Sequence, residues 1–231
     1  IVRRVVTKDI KEPFTTSTLQ QEAYAKLKFN TKKTMSVAQK LYEGINVGDE
    51  HMGLITYMRT DSPRLSSSYV ARATEFIKET FGKEYLGHAR KLKSLALAQD
   101  AHEAIRPTSN HRTPEKVRQF LKTKDGRDSD EYKLYKLIYE RTLMYLMKAK
   151  TQEVMAITLE SSGVEFKLDF VRTLFEGYEI LEDKKENSQT FPELLEGDKL
   201  SISKKEIEQK FTQPPSHYTE AKVVKLIEEV G

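Results

Sequence analysis

The chain has 231 residues, of which 38% are hydrophobic and 32% charged, so it is long enough for a sizeable core and too apolar for a disordered chain. The net charge is only +4, yet residues 14 to 150 carry 25 Lys and Arg against 16 Asp and Glu, an excess of +9, while the rest of the chain stands at −5. Cysteine is absent, which excludes disulfide bonds and thiolate metal sites, and no apolar run approaches the roughly 20 residues that a membrane-spanning helix needs.

The N-terminal residues predict a strand followed by a polar connector. Residues 1 to 6 alternate and are rich in Val, as strand residues are, and residues 7 to 16 are mostly polar and contain Pro13. This stretch has neither the apolar core nor the cleavage site of a signal peptide. The sequence begins with Ile1 as if in mid-strand, so we expect it to be part of a longer protein.

Helical signals dominate the next part of the chain. Ser17 and Thr18 are placed to cap a first helix that runs to Leu27, and Ser36 is placed to cap a second that Gly44 ends. Three further helices are predicted: residues 66–81 with Gly82 as the stop, a short helix after Pro114, and a long helix over about 129–149 that forms the spine of this part.

Strand signals return after the long helix. Residues 152–160 and 164–171 are predicted to form a hairpin around Ser161-Ser162-Gly163. The remaining predictions are a loop over 182–189, a strand over 199–202, and a final helix over 220–230 with Thr219 as its cap and Gly231 as its stop.

This order predicts an α+β fold in which a mainly helical domain is inserted into a discontinuous β-strand domain. The expected joints are two adjacent connections, near residues 7–16 and near residue 150, which would make a hinge possible. A rigid α+β domain with a long excursion is the alternative. The predicted division is 1–16 and 151–213 for the β domain, 17–150 for the helical domain, and 214–231 for the start of a connection back to the core of the longer protein.

The decapeptide GLITYMRTDS, residues 53–62, is the most informative stretch because it places the phenol of Tyr57 two residues from the guanidinium of Arg59. Leu54 and Ile55 would anchor the segment. Residues 56–62 carry almost nothing that can be buried, so we expect Tyr57 to be held firmly and presented outward. A lone Tyr is usually packing and an exposed Arg is usually solvated, but together they suit attack on a phosphodiester.

Tyr57 and Arg59 would have different chemical roles in such an attack. A phenol is protonated at neutral pH and is a poor nucleophile until its ionised form is favoured or its proton is taken. Arg59 keeps its charge and cannot be that base, but it can grip a phosphate through two hydrogen bonds. Thr60, Asp61 and Ser62 are most simply turn formers that lead into Pro63 and can also position the nucleophile.

A second block, AQDAHEAIRPT at residues 98–108, contains the pair His102-Glu103. A zinc-protease helix would need a second His four residues on, and that position is Arg106, so this interpretation fails. The simplest alternative is a helix end with Pro107 as its terminator.

Both blocks resemble signature segments of the type IA DNA topoisomerases. Residues 53–62 resemble the active-site tyrosine segment, whose MRTDS ending is most similar to the bacterial enzymes, and residues 98–108 resemble a second signature whose His lies near the catalytic tyrosine. Topoisomerase III relatives usually have Pro where Met58 stands, so that alternative is disfavoured and stays open. Other stretches are also similar to the family, so that the resemblance covers essentially the whole chain: residues 15–23, 32–35, 38–42 and 214–221.

The resemblance implies roles for six side chains. Tyr57 would be the nucleophile and Arg59 would hold the scissile phosphate. His102 would hydrogen-bond the DNA backbone or relay a proton. The others would bind DNA or support the site: Arg106, Thr60 and Ser62.

The family resemblance also implies the activity and its partners. It implies relaxation of negatively supercoiled DNA by transient cleavage of one strand through a 5′-phosphotyrosine, strand passage and religation in the cytoplasm, at the nucleoid. No GxxxxGK[ST] nucleotide loop occurs, in keeping with strand passage without ATP, and no membrane partner is expected. Mg2+ would be bound by an acidic N-terminal domain that this sequence lacks, as it lacks further C-terminal DNA-binding regions, so the 231 residues alone should bind no metal and be inactive.

Two other interpretations of the function stay open at this point: a DNA-binding module without catalysis, and a different tyrosine enzyme. A non-catalytic single-stranded DNA-binding module would use basic helices and exposed tyrosines that stack on bases, in keeping with the basic excess of residues 14–150. Solvated helix faces explain the same excess without DNA. Another tyrosine nuclease or recombinase would not explain the second block.

Overall fold

The computed structural model describes residues 1–87, 102–182, 188–215 and 217–230. No helix in these ranges has the length and apolar character to span a bilayer. The elements are β1 (Val2–Thr7), α1 (Thr16–Leu27), α2 (Thr31–Glu43), β2 (Ile45–Val47), β3 (Glu50–Met52), α3 (Ser67–Phe81), α4 (Pro114–Arg118), α5 (Asp130–Leu146), β4 (Thr151–Ser161), β5 (Val164–Phe175) and α6 (Glu220–Val230), with 3₁₀ turns at Lys83–Tyr85 and Gly177–Leu181.

The sheet is antiparallel with strand order β1-β4-β5, so the first strand of the chain pairs with one that follows all the central helices. The register runs from Val2 opposite Ala156 to Thr7 opposite Thr151. Immediately beyond it, the Lys8 N–H donates to the Lys150 carbonyl over 2.9 Å. The chain therefore leaves and re-enters the sheet at one point. The α+β prediction is confirmed, whereas the domain boundaries stay a prediction.

The core lies among the helices. On α2 the buried side chains Thr34, Val37, Ala38 and Leu41 recur at helical spacing on one face. The predicted spine is α5, which is buried on most sides because α1, α2, α3 and α4 all pack around it. Its buried residues are Tyr132, Leu134, Tyr135, Leu137, Ile138, Tyr139, Thr142, Leu143, Tyr145 and Leu146.

Two predicted helix starts were wrong. The first helix is capped by Thr15, whose hydroxyl accepts from the Thr18 N–H, while the Thr18 hydroxyl accepts from the Thr15 N–H in return. The second begins at Thr31, because the Asn30 side chain accepts from the Lys33 N–H over 2.8 Å, so Ser36 lies inside the helix. The predicted stops at Gly44 and Gly82 are confirmed.

The strand predictions had a mixed outcome. The hairpin of β4 and β5 is confirmed, and β5 continues to Phe175, beyond the predicted end. The strand predicted over 199–202 was wrong: Leu200 and Ile202 are exposed there, and residues 199–202 pair with no described strand. The short hairpin of β2 and β3 was not predicted. Residues 183–187 of the predicted loop and the predicted stop Gly231 lie outside the described residues.

The joint between the sheet and the helices consists of residues 147–150 and 176–181. Within it, the Lys150 ammonium lies 2.7 Å from the Glu179 carboxylate, and both side chains are buried. The Tyr178 N–H donates to the Lys148 carbonyl over 2.9 Å, which ties the 3₁₀ turn after β5 to the segment before β4. The place where the chain crosses between the two parts is therefore a packed ionic contact.

Candidate functional site

The segment that carries Tyr57 lies between the end of α2 and the segment that follows His102. On one side the Leu54 N–H donates to the Leu41 carbonyl over 2.7 Å. On the other the Thr56 N–H donates to the Arg106 carbonyl over 2.9 Å. The fold thus brings together the two blocks that the sequence singled out; residues 98–101 of the second block lie outside the described residues.

Two threonine hydroxyls fix the backbone on either side of Tyr57. The Thr56 hydroxyl donates to the Ala104 carbonyl over 2.7 Å and accepts from the Arg106 N–H over 2.9 Å. The Thr16 hydroxyl, at the start of α1, donates to the Met58 carbonyl over 2.8 Å and accepts from the Thr60 N–H over 2.9 Å. Sequence reasoning missed both roles, because a hydroxyl gives no sign of its distant partner.

Exposure alternates along the Tyr57 segment. Met58 is only 2% exposed, which corrects the expectation that residues 56–62 have almost nothing to bury. Tyr57 is 42% exposed and its backbone is held by the hydrogen bonds of Thr16 and Thr56, so the expectation that it is held firmly and presented outward is confirmed. The exposed set is Tyr57, Arg59 and Asp61, and the buried set is Met58, Thr60 and Ser62.

An open cavity of about 370 Å³ lies beside the Tyr57 ring. Four of the six residues predicted for the site line this cavity. Its lining consists of Thr56, Tyr57, Thr60, His102, Glu103 and Arg106.

The other two predicted residues lie outside this cavity. Arg59 is exposed, and within the described ranges its side chain has no hydrogen-bond or ion-pair partner. The Ser62 hydroxyl is buried and accepts from the Arg64 N–H over 3.3 Å, and the Thr60 hydroxyl accepts from the Ser62 N–H over 3.1 Å. Thr60 and Ser62 therefore form a turn, the simpler of the two interpretations of these residues.

Arg106 is held in the cavity wall by its neighbours. Its Nε donates to the Glu103 carboxylate over 2.6 Å, and its guanidinium lies 4.3 Å from the centre of the Tyr69 ring. Desolvation by burial acts to raise the pKa of Glu103, but the hydrogen bond from Ser66 and the charge of Arg106 outweigh it and lower that pKa. Glu103 is thus ionised at neutral pH and offsets the charge of Arg106.

The buried tyrosines Tyr69 and Tyr139 are poor candidates for the nucleophile. The hydroxyls of Tyr69 and Tyr139 donate to the side-chain and backbone oxygens of Asn110 over 2.6 Å and 2.5 Å. Burial raises the pKa of both phenols, so both keep their protons and their hydrogen bonds. Tyr57 is the tyrosine that the cavity presents to solvent.

Comparison with protein families finds one family model that matches the whole chain. The family model described as DNA topoisomerase matches residues 1–231. The chain belongs to the bacterial type IA DNA topoisomerase family. Among solved structures, full-length topoisomerase I from Thermotoga maritima is similar with a TM-score of 0.79 and 39% identity, over 100% of this chain and 37% of that one. The chain thus spans well under half the length of that topoisomerase.

The Tyr57 segment begins with a glycine that packs tightly against α2. A Cβ at Gly53 would lie 2.5 Å from the backbone carbonyl oxygen of Tyr42, and that oxygen cannot move without shifting the end of α2. We expect Gly53→Ala to break the hydrogen bond between Leu54 and Leu41 and to lower the free energy of unfolding by about 1–3 kcal/mol. Urea unfolding with circular dichroism measures this loss, and an unchanged midpoint would contradict the close approach.

Proposed function

We propose that these residues are the tyrosine-bearing part of a topoisomerase that cuts one DNA strand, passes a strand through the break and reseals it. The observation that carries the proposal is the outward phenol of Tyr57, fixed on both sides by threonines and facing a cavity shared with His102 and Arg106. Membership in the topoisomerase family supports DNA as the substrate.

The reaction exchanges one phosphodiester for another. The Tyr57 oxygen attacks the scissile phosphorus and loses its proton, a P–O bond to the tyrosine forms, and the bond to the 3′ oxygen of the upstream sugar breaks. That oxygen takes up a proton and leaves as a hydroxyl, and the 5′ phosphate of the downstream piece stays on Tyr57. Reversal of these steps reseals the strand, so no nucleotide is consumed.

The surrounding side chains suit this exchange in different ways. Arg59 is exposed beside Tyr57 and can approach a phosphate from outside the cavity. His102 lines the cavity and can hydrogen-bond a phosphate oxygen or relay a proton. Arg106 is already paired with Glu103, so we propose that its main role is to shape the cavity wall and that contact with DNA is a minor role.

In this proposal, the helical part rotates about its joint with the sheet and so opens a gate through which the DNA strand passes. The segments at Lys8, at Lys150 and after β5 lie together in this joint, which supports such a motion, because the backbone changes can be confined to neighbouring residues. The cytoplasmic nucleoid is the location proposed for the enzyme.

Mg2+ is proposed to act from another part of the protein. Within the described ranges, no three His, Asp or Glu side chains come close enough to form a metal site, so these residues do not fit the ion and no step is assigned to it here.

The 231 residues alone are expected not to relax supercoiled plasmid DNA, because in this proposal the other part of the enzyme supplies the metal ligands and proton transfer. The measurement is agarose electrophoresis of plasmid after incubation with Mg2+, with circular dichroism to establish that the chain is folded. A full-length preparation serves as the positive control. Relaxation by the 231-residue chain would refute this division of the site.

Denaturing electrophoresis of the full-length protein with end-labelled single-stranded DNA tests the proposed function. DNA labelled at its 3′ end should migrate with the protein, because the downstream piece stays on Tyr57, and DNA labelled at its 5′ end should be released. Attachment of the 5′ label would reverse the polarity. No attachment of either label would favour the non-catalytic binding module.

The exposure of the tyrosines disfavours that binding module. Of the 11 tyrosines in the sequence, the exposed ones are Tyr42, Tyr57 and Tyr218. A stacking surface needs several exposed rings along one groove, and Tyr42 packs its ring against Tyr57.

A further inference from the structure

Tyr42 lies against the proposed nucleophile although it is 15 residues away in the sequence. It is the penultimate residue of α2, and its ring centroid lies 5.3 Å from that of Tyr57 with an angle of 66° between the ring planes. This edge-to-face geometry is the favourable one for two aromatic rings. Both side chains are about two-fifths exposed, so the contact leaves the Tyr57 ring open to a substrate.

Backbone contacts fix where the two rings meet. Leu41, next to Tyr42, is fully buried, and its carbonyl accepts the Leu54 N–H. Gly53 packs so closely on the Tyr42 carbonyl that only a hydrogen fits between them. The start of the Tyr57 segment and the end of α2 are therefore one rigid unit, and the ring contact is a consequence of that unit.

Tyr42 and Tyr57 differ in their relation to the cavity. The cavity with His102 and Arg106 is lined by Tyr57 and not by Tyr42. Tyr42 thus supports the ring of Tyr57 and does not compete with it for the phosphate.

We infer that Tyr42 is a positioning residue, which holds the Tyr57 ring in the orientation required for attack on the phosphodiester. The inference rests on the proposed function. Without Tyr42, the exposed Tyr57 ring would sample other rotamers, and fewer of its conformations would place the phenol oxygen in line with the scissile bond. Loss of such an aromatic contact corresponds to a roughly 2- to 12-fold slower cleavage step.

Three variants of the full-length protein separate the ring from the hydroxyl. Tyr42→Phe keeps the edge-to-face contact and should cleave like the wild type. Tyr42→Leu removes the ring and should form the covalent adduct roughly 2- to 12-fold more slowly in single turnover, with an unchanged Kd for DNA. Phe120→Leu is the matched control, because Phe120 is exposed to the same extent and does not line the cavity; it should change neither quantity.

A second measurement follows the Tyr57 ring directly. In full-length protein labelled with fluorotyrosine, the ¹⁹F signal of Tyr57 is the one that disappears in Tyr57→Phe. That signal should shift in Tyr42→Leu and stay in place in Phe120→Leu, because the neighbouring ring is lost only in the first.

The outcomes distinguish the two proposals. Wild-type cleavage rates in Tyr42→Leu, or a loss confined to DNA affinity, would overturn the positioning role and leave the proposed function standing. Absence of any covalent adduct from the wild type would reject the proposed function itself, and the positioning role with it. A slower adduct with unchanged affinity and a shifted Tyr57 signal supports both.

Discussion

Replacement of Tyr57 by Phe in the full-length protein is expected to abolish covalent attachment of DNA and leave most DNA binding intact. The substitution removes the oxygen that attacks phosphorus and keeps the ring, its contact with Tyr42 and the buried Met58 beside it. The measurements are denaturing electrophoresis for the adduct and fluorescence anisotropy for affinity. The adduct should fall below detection, whereas Kd should change by less than about threefold, a difference of about 0.7 kcal/mol.

Tyr218→Phe is the matched control for this experiment. Tyr218 is exposed to a greater extent than Tyr57 and precedes α6, outside the cavity lining. Loss of its hydroxyl should leave adduct formation unchanged. An adduct that persists in Tyr57→Phe, or that disappears in Tyr218→Phe, would assign the nucleophile elsewhere.

Replacement of Lys150 by Met is expected to lower the free energy of unfolding by about 3–5 kcal/mol, because it leaves the buried carboxylate of Glu179 without its cation. The double variant Lys150→Met/Glu179→Leu should recover most of this loss, since neither charge then remains to be desolvated. Urea unfolding of the wild type, Lys150→Met, Glu179→Leu and the double variant gives the four free energies of a double-mutant cycle.

Lys167→Met provides the comparison on the same sheet. Lys167 on β5 lies 3.2 Å from Glu165, but both side chains are largely exposed to solvent. Its loss should change stability little, because solvent screens such a pair. Equal destabilisation by Lys150→Met and Lys167→Met would show that burial at the joint does not set the cost.

Helix ends differ in how far they could be predicted from the sequence. The stops at Gly44 and Gly82 were predictable because glycine takes the positive φ that each position requires. The start of α1 was not, since Thr15, Ser17 and Thr18 all have capping side chains. The choice depends on the contacts of Thr16 with Met58 and Thr60, which are remote in sequence.

The candidate site, too, could be predicted only where its contacts are local in the sequence. Tyr57 and Arg59 were singled out because their spacing suits attack on a phosphodiester, and their assignment to the site, like the position of His102 beside Tyr57, was inferred through the family resemblance. The pairing of Arg106 with Glu103 has a local signal, because the two are three residues apart. Tyr42 has none, since its contact with Tyr57 depends on how the β2–β3 hairpin returns the chain to the end of α2.

The alternating exposure of the Tyr57 segment makes that segment sensitive to length. Thr56 and Thr60 are each hydrogen-bonded to a fixed partner, so the number of residues between them decides which side chains face the solvent. Deletion of one residue between these anchors would leave no register in which the phenol points outward, Met58 fills the core and both threonines keep their partners. Variation among relatives should therefore take the form of substitutions here, with insertions and deletions confined to the segments outside the anchors.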